Sequence, residues 1–380
     1  MAGEPAGSGA ARMIAPPIPP QRERFPHLAA LTGLRGVAAW FVVFYHARLS
    51  LTDWMPEGAL AAAGQGYLAV DLFFMLSGFV MWLNYGPKLR EQGLSGAKSF
   101  WWRRFARIWP LHLAVLGALV AFALLLLATG RDAANYPLAE LPLHVLLVQN
   151  WGFTPELTWN HPAWSISTEL GAYLLFPFAV LAARWESLRP LALVAGVVLC
   201  AALLHAVFLV AGAETLGDQI TRLGLVRCVL QFGIGILLAN LWLAWRGRKS
   251  ALAVYAACLA CGAALLLGAP ETLLVPLAFA TLLLALALDG GPLARLLSSR
   301  PLVWLGDASY ATYLVHFPLL VALKLVAVGD DLQIAPAVFA AYLLVLLVLS
   351  GALYRWLEKP AQKWLNSRSP YATRRAVPAE

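Results

Sequence analysis

Residues Leu31 to Leu49 read LTGLRGVAAWFVVFYHARL, an apolar run that carries Arg35 near one end and His46 near the other. A helix of roughly 20 residues crosses a bilayer core, so this run is long enough to enter one. On a helix the eleven steps from Arg35 to His46 amount to about 16 Å along the axis and about 20° around it, so both side chains point the same way. Ionisable groups on one face of a membrane helix are costly unless that face looks into a protein cavity. The segment is therefore expected to form one wall of a cavity that crosses most of the membrane.

The rest of the chain belongs to the same class. Of its 380 residues 61% are hydrophobic and 13% charged, and the mean hydropathy is +0.70. Such values describe an all-α polytopic membrane protein rather than two or three soluble domains. About ten transmembrane helices are predicted, near 30–50, 66–86, 108–128, 162–183, 190–212, 224–245, 250–268, 272–288, 303–327 and 335–356. The run Leu141–Trp151 is too short to span and reads as interfacial or re-entrant. Residues 1–26, rich in Ala, Gly and Pro, read as a flexible tail rather than a signal peptide, because no apolar stretch precedes a cleavage site. A membrane domain over 27–365 and a second tail over 366–380 complete the expected organisation.

The formal charge of +8 is explained by the loops rather than by nucleic acid. If the N-terminus is cytoplasmic, that side collects Arg22, Arg24, Lys88, Arg90, Lys98, Arg103, Arg104, Arg107, Arg184, Arg189, Arg246, Arg248, Lys249, Arg295, Arg300 and six more cations from Arg355 to Arg375. The opposite loops are acidic, with Asp53, Glu57, Asp132, Glu140, Glu156, Glu214, Asp218, Asp330 and Asp331. This asymmetry puts both termini in the cytoplasm. Arg35 then lies near the inner surface and His46 near the outer one. The four cysteines (Cys200, Cys228, Cys258, Cys261) sit in apolar segments, and the C-x-x-C of Cys258 and Cys261 reads as packing rather than redox or metal chemistry. There is no G-x-x-x-x-G-K-[ST] loop, no H-E-x-x-H, no G-x-S-x-G elbow and no tandem repeat.

The polar residues inside the spans are few. Arg35 taken alone could snorkel to the interface, and His46 alone could be an interfacial histidine, but a shared face argues for a joint role. Asp71 in the second span needs a cation or a wet cavity, and His46 is a plausible partner at similar depth. Ser77 and Gly78 that follow read either as a close-packing point between helices or as part of a site. The stretch SFWWRRFARIWPLH (residues 99–112) is either an interfacial amphipathic segment or a place where Arg103, Arg104 and Arg107 hold the phosphates of a soluble anion. In the fourth span Trp164, Ser165, Ser167 and Glu169 follow Pro162, and Ser165 and Glu169 share a face and could hydrogen-bond. Glu169, about 10 Å into its helix, is functional by default. Tyr310, Tyr313 and His316 form a slanted polar stripe in the ninth span, whereas Arg227 and Lys324 read as snorkelling cations.

Together these motifs resemble the acyltransferase 3 family of bacterial integral-membrane O-acyltransferases. An arginine and a histidine separated by ten residues match Arg35 and His46. A phenylalanine-rich run ending Ser-Gly-Phe matches Phe73, Phe74 and Ser77 to Phe79. R-R-x-x-R-I-x-P matches Arg103 to Pro110, W-S-L-S-x-E matches Trp164 to Glu169 with Ile166 in the leucine position, and S-Y-x-x-Y-L-x-H and E-x-P match Ser309 to His316 and Glu358 to Pro360. The resemblance implies a multi-pass enzyme of the bacterial cytoplasmic membrane. It would move an acyl group, with acetyl as the first expectation, from cytoplasmic acyl-coenzyme A to a hydroxyl of a glycan or related acceptor on the outer side. It makes Arg35, Arg103, Arg104 and Arg107 the coenzyme A binding groups and His46 with Glu169 the catalytic pair. Asp71 or Glu169 would orient the imidazole, and Tyr310, Tyr313 or His316 would donate to the developing oxyanion. No metal and no nucleic acid enter this expectation. The alternative is a proton-coupled transporter or glycan flippase that uses Asp71, Glu169, His46 and His316 as a relay.

Overall fold

Hydrocarbon offers nothing to an open backbone N–H or C=O, so a chain this apolar closes its hydrogen bonds within helices. The computed structural model describes residues 28–247, 251–329 and 332–371, and no β-strand occurs among them. In chain order the helices are α1 (Ala29–Ala47), α2 (Glu57–Gly64), α3 (Ala69–Gln92), α4 (Ser95–Ala128), α5 (Leu141–Leu146), α6 (Ala163–Ala182), α7 (Pro190–Val210) and α8 (Ile220–Trp245). They continue with α9 (Ala251–Leu266), α10 (Glu271–Leu288), α11 (Pro292–Leu297), α12 (Arg300–Ala327), α13 (Pro336–Leu353) and α14 (Lys359–Ser367).

Every expected span coincides with an apolar helix. Among the described residues nine helices are long and apolar enough to cross a bilayer, and α9, with 16 residues, is a shorter apolar helix. The arginine-rich stretch 99–112 is not a separate surface segment. It forms early turns of α4, which runs unbroken for 34 residues. The last helix, α14, ends at Ser367. The expected tail 1–26, and the end of the second tail from residue 372, lie outside the described residues.

Two helix pairs form the frame, and both depend on glycine. A Cβ on Gly306 of α12 would fall 1.8 Å from the carbonyl oxygen of Thr32 in α1, so only glycine lets these backbones approach so closely. Contacts between Arg35 and Gly306 and between His46 and His316 show that α1 and α12 run parallel. On the other side α3 lies along α8, where a Cβ on Gly78 would sit 2.0 Å from the oxygen of Phe232. Close packing is thus the role of Gly78, while its neighbour Ser77 turns to the site.

Prolines inside helices release carbonyls that side chains then satisfy. Pro177 has no N–H for the carbonyl of Tyr173 one turn earlier, and Trp101 Nε1 donates to that oxygen at 3.0 Å. Pro318 likewise frees Leu314 O in α12, which accepts from Asn160 Nδ2 at 2.9 Å. These bonds tie α4 to α6 and the loop before α6 to α12. A π-helical turn over Tyr354–Glu358 links α13 to α14.

Candidate active site

A cavity of about 450 Å3 opens between α1, α3, α4, α6 and α12. Its basic end is formed by Arg35, Arg104 and Arg107, and Asn84 and Asp307 also line it. Arg35 does not snorkel. Its guanidinium donates to Gly306 O through Nε at 3.1 Å and Nη2 at 2.7 Å, which turns it inward along α12. Arg104 donates to the Tyr85 hydroxyl at 2.9 Å and lies over the rings of Tyr85 and Tyr173. Arg107 pairs with Glu358 and lies 5.2 Å from the Tyr310 ring centre. The π-turn swings Glu358, 2% exposed, toward α4 for this contact.

Further in, the wall carries hydroxyls and one carboxylate. Tyr173 donates to Glu169 Oε1 at 2.5 Å, so the 2.8 Å contact between Ser77 and Tyr173 has Ser77 as donor. The chain Ser77 to Tyr173 to Glu169 thus points its protons at the carboxylate. Ser165 shares a 2.8 Å hydrogen bond with the Tyr313 hydroxyl rather than meeting Glu169 as expected. Tyr310 spends its only proton on Ile108 O at 2.8 Å, which removes it from the expected oxyanion donors. Tyr313 is the last residue of α12 to line the cavity.

One turn beyond Tyr313 the two histidines meet. His316 is fully buried and its Nδ1 lies 2.8 Å from Tyr313 O. His46 Nδ1 lies 3.0 Å from Val42 O and 3.2 Å from His316 Nε2. A carbonyl only accepts, so each Nδ1 carries its hydrogen in the neutral rings, a tautomer assigned from the partners. The single Nδ1–H of His46 is then shared between Val42 O and His316 Nε2, and His46 Nε2 keeps a free lone pair, the form a general base requires. Phe317 packs edge-on to His46 at 5.3 Å and stacks on His161 at 4.8 Å.

A comparison with known families matches an acyltransferase domain over residues 28–355. The chain belongs to the acyltransferase 3 family. It is an acyltransferase and a multi-pass membrane protein. It is 31% identical to "Acyltransferase MdmB" of Streptomyces mycarofaciens over 387 residues, covering 94% of this chain and 96% of that protein. It is 30% identical to "Exopolysaccharide production protein ExoZ" of Rhizobium meliloti (strain 1021), covering 78% of this chain and 89% of the relative. Against "O-acetyltransferase OatA" of Staphylococcus aureus (strain NCTC 8325 / PS 47) identity is 25%, covering 89% of this chain and 57% of the relative. No solved structure matches the chain.

The geometry of this acyltransferase revises several expectations drawn from sequence. Asp71 is not the partner of His46. It is wholly buried against Arg227, with Nε to Oδ1 at 2.7 Å and Nη2 to Oδ2 at 2.5 Å, and it also accepts from Gln231. Arg227 therefore does not snorkel; it donates further to Leu216 O at 2.6 Å and lies over Trp164. Glu169 does not orient His46 either, since the described hydrogen bonds of that ring go to Val42 and His316. Ser167 is outside the cavity and accepts from Asn150 N, so it holds the preceding loop. Arg103 is exposed and away from the cavity, where it lines a small depression with Lys88 and Tyr85. The cavity itself does not follow α1 to His46, because α12 covers that face; on α1 its lining stops at Arg35. Two partners, Tyr173 and the His46–His316 contact, were missed. The i, i+4 spacing of Glu169 and Tyr173 was available as a signal, but pairing α1 with α12 was not.

Proposed function

We propose that this acyltransferase moves an acyl group, most simply acetyl, from cytoplasmic acyl-coenzyme A to a hydroxyl of a glycan or related acceptor across a bacterial cytoplasmic membrane. The observation that carries the reading is the layout along the α1–α12 pair. Three guanidiniums stand at one end of a cavity and a neutral histidine pair lies beyond its other end. Guanidinium groups suit phosphate oxyanions, and the Lys88–Arg103 depression adds two cations beside Tyr85. A thioester on a long flexible arm can lie in the cavity while its phosphates stay with the arginines. The loop charges support cytoplasmic termini and, with them, an arginine end on the inner side. The names of the exopolysaccharide-production and O-acetyltransferase relatives support an acetyl group and a glycan acceptor.

In this reading His46 Nε2 takes the proton from the acceptor hydroxyl as its oxygen attacks the thioester carbonyl. The new C–O bond forms, the C–S bond breaks, and the proton on His46 passes to the departing coenzyme A sulfur. Val42 O and His316 Nε2 share the Nδ1–H throughout and so favour the imidazolium while holding the ring in place. Glu169 accepts from Tyr173, which in turn accepts from Ser77, and lines the same cavity as the arginines. Tyr313 re-aimed from Ser165 would donate to the oxyanion.

The test supplies acetyl-labelled acetyl-coenzyme A to membranes containing the protein. Label should enter an extractable glycan or glycolipid, and His46→Ala should reduce this by about 100-fold or more, the scale of lost general-base catalysis. Near wild-type transfer by His46→Ala would sink the assignment. Movement of a glycan across the membrane without acylation would favour the transporter alternative.

A further inference from the structure

The carboxylate of Asp307 lines the main cavity together with three guanidiniums and pairs with none of them. Arg35 donates to Gly306 O, Arg104 to the Tyr85 hydroxyl and Arg107 to Glu358. Among the described residues Asp307 takes part in no hydrogen bond and no ion pair. It is only partly buried, so a ligand in the cavity can reach it. On the α3 wall Asn84 is exposed, and its Nδ2 donates to Val80 O at 2.9 Å, which leaves its Oδ1 as a second acceptor turned away from that carbonyl.

Their place along the cavity follows from the helices. Asp307 is the first residue of α12 to line it and Tyr313 the last. Asp307 precedes His316 by nine residues, about 14 Å along the axis, and its side chain leans toward the helix N-terminus, away from the histidines. On α3 the lining runs from Phe73, whose ring centre is 5.8 Å from that of Tyr313, to Asn84. Those two are eleven residues apart, about 16 Å on a helix. Both acceptors therefore stand at the end of the cavity farthest from the histidine pair, and Leu28, Leu31 and Leu83 give the same end an apolar wall.

A ligand that fills this end displaces water from the carboxylate and has to supply an N–H or O–H in exchange. Phosphates supply none, and a negative charge repels them. When the phosphates of an acyl-coenzyme A lie on the arginines and its thioester points to the histidines, the pantetheine amides are on the histidine side. What remains on the other side is the nucleoside. Its ribose stands next to the 3′-phosphate, which a carboxylate disfavours. The adenine amine is uncharged, carries two N–H groups and lies at the far edge of a flat base that the leucines can cover. We propose that Asp307 accepts a hydrogen bond from the adenine amine of the donor and so selects an adenine nucleotide at the basic end of the cavity. This role rests on the acyl-coenzyme A donor proposed above and adds the residue that reads its base.

The test compares acetyl-coenzyme A with an analogue that carries unsubstituted purine in place of adenine and is otherwise identical. Each bears label in its acetyl group and is offered to membranes containing the full chain. Wild type should favour acetyl-coenzyme A about tenfold or more in kcat/KM, the worth of one hydrogen bond to a charged acceptor. In Asp307→Ala, where that acceptor is gone, the preference should fall to within about twofold. Both donors carry the same phosphates, so the loss of a negative charge near the arginines acts on both alike. Any loss of folded protein also cancels in the ratio. Equal use of the two donors by wild type, or a preference that survives in Asp307→Ala, overturns the role of Asp307. Either result with acetyl transfer intact leaves the proposed function standing, whereas wild type that takes the acetyl group from neither donor overturns that reading instead.

Discussion

Removing the carboxylate of Asp71 should damage the fold far more than the chemistry. Asp71 and Arg227 are 0% and 1% exposed, and the carboxylate meets two guanidinium nitrogens at 2.7 and 2.5 Å. In Asp71→Ala the cation keeps Leu216 O and a long 3.5 Å contact to Tyr67 O, which do not compensate its charge. Breaking a buried pair from one side costs about 3–5 kcal/mol, roughly 150- to 5,000-fold in the folded-to-unfolded ratio. The double variant Asp71→Ala/Arg227→Met leaves no buried charge and should regain at least half of the loss. The assay is the fraction of monodisperse protein that survives heating in detergent, read beside acyl transfer per mole of folded protein. Two results would refute the reasoning: a double variant no more stable than the single one, or Asp71→Ala as stable as wild type but inactive. The second would return Asp71 to the reaction.

Other expectations follow from particular contacts. Gly306→Ala drives a methyl into Thr32 O, a backbone atom that cannot yield, so folded protein in membranes should fall severalfold, measured by fluorescence-detected size exclusion. Glu358→Ala frees Arg107 from its partner, and the KM for acetyl-coenzyme A should shift while stability changes little; an unchanged KM would separate this pair from the donor site. Tyr173→Phe removes the proton that Glu169 receives and the acceptor that Ser77 uses, and kcat should drop about tenfold with the fold intact by heating. Replacing both Cys258 and Cys261 by Ala should leave transfer within twofold of wild type, since these thiols are free and Cys258 merely contacts Ala278 O.

The positions of the apolar helices were legible because an apolar run can satisfy its backbone in only one way within lipid, and Pro and Gly marked several ends. The shared direction of Arg35 and His46 was legible too, since helical geometry alone fixes it: both meet α12, at Gly306 and His316. What they meet was not legible, because the pairing of α1 with α12 joins segments some 270 residues apart. The same limit explains Asp71. Sequence gives depth and a need for a cation, and His46 satisfied both on paper, but the partner comes from α8, which packs on α3 through Gly78 and Gly235. Arg103 failed for a similar reason. Arg103 and Arg104 diverge by about 100° on the helix with Arg107 between them, so spacing alone does not say which of the two joins Arg107. Packing decides it: Arg104 and Arg107 line the cavity, and Arg103 faces outward.

The π-turn before α14 has a consequence for how this site can be lost. A π-turn holds one residue more than an α-turn, so it amounts to a single insertion in the helix that continues α13. If that turn rewound as ordinary α-helix with all its residues kept, everything after it would rotate by about 100°. Glu358 would then leave Arg107 with every side chain of the pair still present. The reading frame of that one turn, and not only the identity of its residues, connects the end of the chain to the basic end of the cavity.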